Sequence, residues 1–301
     1  MKRILVTGAN GWIGSHVIKK LIEKDFEVHA VSRKFVNTPM KKCKWHRADL
    51  LILKETRNLI ENIKPTHLLH FAWEATPGEY WRSLNNYLWV QASIELLYNF
   101  AKYGGKRAVF AGTCAEYDWS YGYLSENITP CSNKPPYASA KNALQSLVRS
   151  FSESVGLSSA WGRIFFLYGP KEHRSRLVPT VINSLINNKQ ALCTHGEQYR
   201  DFLHVEDASE AFVSLLESDA QGPVNIASGH SIQVKEMISR IADKLGKSEL
   251  VKLGAIPFPD TEPLFIGANT KLLKDEIKWS PKIDLDRGLE RTIAWWRKNQ
   301  V

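Results

Sequence analysis

The sequence predicts an α/β fold, a doubly wound parallel sheet followed by a smaller α/β domain. Three observations carry this. Short β-branched runs alternate with amphipathic helical segments through the first half. A glycine-rich turn follows the first run and opens a helix. In the second half proline and glycine become more frequent and the elements shorten.

Arg3 to Thr7 reads as a buried strand, and the segment from about Trp12 to Lys24 places Ile13, Val17 and Leu21 on one helical face. Further strands are predicted at Glu27 to Val31, Cys43 to Ala48, His67 to Ala72, Arg107 to Ala111 and Ser159 to Phe165. A long helix from about Leu84 to Tyr103 stops at Gly104-Gly105. Another begins near Tyr137, with an apolar stripe of Ala140, Leu144, Leu147, Val148, Phe151 and Val155 to anchor it to the sheet. Strands alternating with helices imply right-handed crossovers. Later helices are predicted at Arg176 to Asn188, Asp207 to Ser218, Val234 to Leu245 and Leu285 to Lys298, with capping-box spacing at Asp207 to Glu210. The expected division is a dinucleotide-binding domain over 1–170, to which part of 200–230 returns, and a substrate domain over 171–301. There is no repeat and no low-complexity linker, so the two parts should pack closely around a cleft.

Composition bounds the function. With 44% hydrophobic and 24% charged residues in 301, the chain reads as globular. It has no apolar run of bilayer length and no signal-peptide pattern, so a cytoplasmic protein without membrane contact is expected. Cys43, Cys114, Cys131 and Cys193 form no CxxC pair, which argues against a metal site and suits free thiols. The net charge of +9 suits an acidic partner, nucleic acid or a phosphorylated small molecule, but the basic residues are scattered apart from small clusters at Lys41-Lys42-Cys43-Lys44, Arg3 and Lys19-Lys20, so nucleic acid is disfavoured and a generally basic surface is the competing reading.

The turn Gly8-Ala9-Asn10-Gly11-Trp12-Ile13-Gly14 has the means to hold a dinucleotide. Glycine permits the tight turn and a close backbone approach to pyrophosphate, and the helix start offers free N–H groups. The second strand ends in Ser32-Arg33-Lys34, where a carboxylate would suit the ribose of NAD. The two cations suit the 2′-phosphate of NADP instead, and the competing reading is a solvated loop. Asp49-Leu50, after the third strand, is placed for the adenine edge, or Asp49 caps a loop. Tyr137 and Lys141 lie one helical turn apart, so an ammonium beside the phenol would lower its pKa and let it exchange a proton near neutrality. Thr113, at a strand end, is placed to hydrogen-bond the same substrate oxygen.

With these residues the chain resembles the extended short-chain dehydrogenase/reductase family, the nucleotide-sugar epimerase, dehydratase and reductase group with a Rossmann-type sheet. The resemblance runs through His70-Phe71-Ala72, Asn86, Thr113, Tyr137, Lys141, Arg163, Tyr168-Gly169-Pro170 and Arg200-Asp201-Phe202. It implies cofactor contacts from Gly8, Gly11, Trp12, Ile13, Gly14, Ser32, Arg33, Asp49, Leu50, Phe71, Ala72 and Trp73, besides Tyr137 and Lys141. It also implies that Arg200 contacts a substrate diphosphate; an ion pair with Asp201 or Glu206 is the alternative.

Departures from the family pattern narrow the chemistry. Where 4,6-dehydratases carry Asp-Glu after the catalytic threonine, this chain has Cys114-Ala115. Cys114 matches the cysteine of epimerases similar to GDP-fucose synthase, but Arg176 stands where their histidine would be, with His173 nearby; a packed, inert thiol is the competing reading. Phe166 replaces an asparagine that touches the diphosphate. The substrate side is therefore read as Thr113, Cys114, Phe166, Arg176 and Arg200. The aromatic segment Trp73 to Trp81 either walls the nicotinamide and sugar site or is pinned to its own domain. The expected activity is NADPH-dependent reduction of an NDP-4-keto-6-deoxyhexose at C4. The alternatives are a C4-epimerase with retained NAD and, last, a non-catalytic dinucleotide- or RNA-binding protein. A homodimer is expected by analogy of fold.

Overall fold

The structure is a computed structural model. It describes residues 2–34, 36 and 42–299; Lys41 of the basic run lies outside the described residues. The chain opens with β1 (Arg3–Thr7), α1 (Trp12–Glu23), β2 (Glu27–Ser32), β3 (Cys43–Arg47), α2 (Leu53–Ile63), β4 (His67–His70), α3 (Asn85–Lys102) and β5 (Arg107–Thr113). It continues through β6 (Tyr123–Leu124), α4 (Pro136–Val155), β7 (Ser158–Ile164), β8 (Phe166–Tyr168), α5 (Leu177–Ile186), β9 (Ala191–Leu192), β10 (Tyr199–His204), α6 (Val205–Glu217) and β11 (Gly222–Ile226). Last come β12 (Ser231–Gln233), α7 (Val234–Leu245), β13 (Val251–Lys252), β14 (Phe265–Ala268), α8 (Lys271–Asp275) and α9 (Leu285–Lys298).

Seven strands form a parallel sheet in the order β11-β7-β5-β4-β1-β2-β3. Ile4, Leu5 and Val6 of β1 are wholly buried, as both-face coverage by helices requires. On one face Val17 and Leu21 of α1 pack with Ala208 and Phe212 of α6. On the other, Ile60 of α2, Leu96 of α3 and Leu144 of α4 supply the packing. From β1 the chain builds outward to β3, then returns to β4 on the other side of β1, and this reversal opens a crevice at the strands' carboxyl ends. The register Thr7↔His70 sets those two ends level, with Thr7 Oγ1 2.8 Å from His70 Nδ1.

The second unit has a mixed sheet in the order β12-β10-β14-β6, with β8 also pairing with β10, over a core that includes Val181, Ile182, Met237, Ile241 and Trp296. α6 and β11 return to the main sheet. None of the described helices is long and apolar enough to cross a membrane.

Two local expectations need correction. α6 begins at Val205, and its cap is His204, whose Nδ1 accepts the Glu206 N–H at 3.3 Å; β10 passes straight into the helix, so there is no capping box at Asp207. Asp207 instead lies buried in the first turn and accepts the N–H groups of Lys282 and Ile283 at 3.0 and 2.9 Å. Of the predicted α4 stripe, Ala140, Leu144 and Val148 are buried, but Leu147 and Val155 are half exposed. Leu147 falls one position off the i, i+4 row, and Val155 is the last residue of the helix.

Candidate active site

The glycine turn sits where β1 meets β4. Gly8 has φ +62°, and a Cβ there would come 2.8 Å from the Ala72 nitrogen and the Phe71 carbonyl carbon. At Gly14 a Cβ would strike the Gly8 carbonyl oxygen, so this glycine lets α1 approach the turn. Gly11 caps α1 without a side-chain hydrogen bond, which leaves first-turn amides free for an anion. Beside the turn lies a cavity of about 310 Å³. Gly8, Asn10 and Gly11 form one wall, Ser32, Arg33 and Lys34 lie at the end of β2, and Val31, Ala48, Leu50, Ala72, Trp73 and Trp89 complete it. These features fit a dinucleotide: a positive helix end for pyrophosphate, apolar walls for a base and exposed cations at the β2 end.

Several residues expected at the cofactor have side chains engaged elsewhere. The Trp12 indole donates to the Pro170 carbonyl at 2.7 Å and clasps the turn to the loop after β8. Ile13 packs into the core under α1. Phe71 packs edge-on to Phe212 at 4.9 Å, so only its backbone faces the turn. Asp49 Oδ1 accepts the Leu51 N–H at 3.0 Å, a loop-capping role, while Leu50 lines the cavity. Asn10, Val31, Ala48 and Trp89 also line the cavity but were not among the expected contacts; Trp89 is a buried residue of α3.

Across the crevice, α4 carries Tyr137 and Lys141. Tyr137 is half-buried, with Tyr80 and Trp81 edge-on to its ring at 4.8 and 5.7 Å. The aromatic segment therefore walls Tyr137 and Lys141 rather than folding back on itself alone. Burial and the neighbouring Tyr80 raise the Tyr137 pKa, and the Thr113 hydroxyl opposes them. The net shift is upward, and Lys141 is not among the largest influences on the phenol, which corrects the expectation of an ammonium-lowered pKa. The reason is geometric. Lys141 is buried, donates to the Ala111 carbonyl at 2.9 Å, and has its Nζ 3.7 Å from the Trp73 ring centroid.

Thr113 ends β5 and caps the short turn Cys114–Glu116: its Oγ1 accepts the Ala115 N–H at 3.2 Å, and Glu116 Oε1 accepts the Thr113 N–H at 2.8 Å. Glu116 is the residue that sequence reasoning missed. It is wholly buried, accepts from the Trp161 indole at 2.9 Å and pairs with Arg163 Nε at 2.7 Å. Its spacing of three from Thr113 was the available signal. Cys114 is buried, and burial, with Glu116 adding to it, pushes its thiol up to about 12. A thiol so placed stays protonated, so Cys114→Ala is expected to change turnover less than about threefold in a steady-state assay.

On the substrate side, Phe166 and Arg200 come together, the guanidinium 5.4 Å from the ring. Arg200 is buried and pairs with neither expected partner. It donates to Glu262 at 2.6 Å, while Asp201 accepts from Ser228 and Gly229, and Glu206 pairs with Arg291. Arg176 is exposed, with its guanidinium 5.6 Å from the Tyr80 ring, and so reaches the Tyr137 cluster through that ring. His173 is exposed and bonded to Ser175 at 2.9 Å.

Residues 4–227 match the model of the NAD dependent epimerase/dehydratase family. The chain belongs to that family. As a member it is an NAD(P)-dependent enzyme of the nucleotide-sugar epimerase, dehydratase and reductase group. It is 26% identical to a CDP-abequose synthase of Salmonella typhimurium, over 96% of this chain and 97% of that protein. It is 27% identical to a dTDP-D-glucose 4,6-dehydratase of Mus musculus, over 99% of this chain and 89% of that one. Among solved structures, a UDP-N-acetylglucosamine 4-epimerase from Methanobrevibacter ruminantium superimposes with a TM-score of 0.89 at 24% identity, covering 99% of both chains. At that identity the likeness establishes the shared epimerase fold: the Rossmann-type sheet with its smaller C-terminal mixed sheet.

Proposed function

We propose that this family member is an NADPH-dependent reductase that acts at C4 of an NDP-4-keto-6-deoxyhexose. The observation that carries the reading is the pair of residues directly after Thr113. Cys114 is a buried, protonated thiol and Ala115 has no acid, so no Asp-Glu pair stands there to eliminate water. The aromatic shell of Tyr80, Trp81 and Trp119 supports a deoxygenated sugar face.

Bound in the cleft, NADPH supplies a hydride. Tyr137 delivers the proton to O4, and the Thr113 hydroxyl holds the same oxygen in line. Lys141 would hold ribose hydroxyls through its remaining N–H donors, and Arg200 would exchange Glu262 for the substrate diphosphate. The rings around Tyr137 keep water from the reacting carbon. The test is to mix the protein with NADPH and CDP-, dTDP- or UDP-4-keto-6-deoxyglucose and follow loss of reduced nicotinamide. Stoichiometric consumption is expected. Interconversion of sugar nucleotides without net consumption would identify a C4-epimerase instead.

NADPH over NADH is proposed from Arg33 and Lys34, both exposed at the end of the cleft. Arg33→Ala should weaken NADPH binding about 10- to 100-fold, the value of one or two charge-assisted hydrogen bonds, and leave NADH unchanged in a fluorescence titration. A cytoplasmic homodimer is also proposed. Tyr87, Leu88 and Tyr98 of α3 and Leu147 of α4 stand about half exposed on adjacent helices. The double substitution Tyr98→Glu, Leu147→Glu should give a monomer by light scattering.

A further inference from the structure

Trp73 stands in the wall of the dinucleotide cleft and over the ammonium of Lys141 at once. We propose that Trp73 is a positioning residue whose indole face holds the Lys141 ammonium by a cation–π contact, keeping it protonated and directed at the cleft. The inference rests on the reading of Lys141 as the lysine that holds the cofactor ribose.

The geometry is specific. Lys141 is 4% exposed. Its Nζ has one carbonyl partner, Ala111, and lies 3.7 Å from the ring centroid, well inside the range of a cation–π contact. A second indole, Trp161, stands farther off at 5.9 Å. The Trp73 ring is itself held. Its Nε1 donates to Asn86 Oδ1 at 2.8 Å, and its face stacks on Trp89 at 6.2 Å. Asn86 is wholly buried, and its amide nitrogen donates to the carbonyls of Tyr80 and Ser83 at 2.7 and 2.8 Å. One amide therefore orients the ring over Lys141 and seats the ring that packs on Tyr137.

Burial pushes Lys141 down to about 7, and Glu116 opposes the shift. Of the other groups facing it, Glu116 is ion-paired with Arg163, burial pushes His70 of β4 down to about 3, and burial raises Tyr137 on the same helix. The ammonium is thus poised where a neighbouring ring face decides its charge, and its deprotonation as pH rises is what the experiment reads.

The experiment is NADPH affinity measured against pH for the full chain and for Trp73→Phe, Trp73→Leu and Lys141→Met. Wild type and Trp73→Phe should lose affinity through the same alkaline limb, because both keep a π face. In Trp73→Leu the limb should move about one pH unit lower, the scale of a desolvated cation–π contact. Below the limb, where Lys141 remains charged, any loss should be a constant factor from the cavity wall that Trp73 forms, so the displaced limb is the readout that carries the proposal. An equal loss at every pH, with the limb unmoved, would overturn the proposal and leave Trp73 as packing. Lys141→Met should abolish the limb. A limb that survives there belongs to another group, so that the lysine reading itself fails and the inference with it. Should Trp73→Leu fail to fold, fluorinated tryptophan incorporated throughout weakens the ring faces with little change of shape. The limb should then descend with fluorine number in wild type and stay in place in Trp73→Phe; an unmoved limb in wild type overturns the proposal.

Discussion

Tyr137→Phe is expected to lower turnover about 10²- to 10⁴-fold, the usual contribution of a positioned general acid. NADPH affinity should change far less than turnover, at most about the value of one hydrogen bond, because only the phenol oxygen is lost. The substitution removes one oxygen and keeps the ring, so the edge-on contacts with Tyr80 and Trp81 survive and the fold should not suffer. Single-turnover reduction with saturating NADPH separates the two effects. Full turnover in this variant would remove Tyr137 from the chemistry and with it the proposed reductase mechanism. Since burial raises the phenol pKa, Tyr137 enters the reaction protonated at neutral pH, which suits an acid that gives its proton to O4. Running the reaction toward oxidation would need the phenolate and should therefore be favoured only at alkaline pH.

Glu116→Ala is expected to destabilise the protein by about 3–5 kcal/mol, read as a fall in the denaturant midpoint. The carboxylate is wholly buried and meets three donors: the Thr113 amide, the Trp161 indole and the Arg163 guanidinium. Burial works against the Arg163 charge, and Glu116 and Tyr117 together outweigh it, so the arginine pKa stands above its ordinary value. Deleting the carboxylate strands that guanidinium in the interior beside Tyr117, 4.3 Å from its ring. Activity should fall as well, since Glu116 fixes the amide of Thr113. The paired substitution Glu116→Leu, Arg163→Met should recover much of the stability, as replacing a buried ion pair with apolar groups does, but not the activity. No recovery would mean that the hydrogen bonds to Thr113 and Trp161, rather than the stranded charge, carry the effect.

The parts of the site that were legible in the sequence are those whose geometry is local. Gly8 and Gly14 are required by a single turn, and Tyr137 and Lys141 are brought together by one helical turn. Asp207 to Glu210 shows the limit of the same logic: the spacing is right, but the helix starts earlier because β10 runs into it, and packing against Lys282 and Ile283 claims the aspartate. Arg200 shows another. Its partner Glu262 is 62 residues away, and no spacing rule could choose it over Asp201 next door.

By itself the sequence determined the doubly wound sheet, the glycine turn and the Tyr137–Lys141 pair, because hydrophobic period, turn chemistry and helical spacing act over a few residues. Only the tertiary structure decided the electrostatics of that pair. It set Trp73 over Lys141, Tyr80 and Trp81 against Tyr137, and Glu116 between Thr113 and Arg163. The physical reason is that burial and through-space contact fix the charge on a lysine or a tyrosine, and both depend on which distant strands and helices the fold brings together.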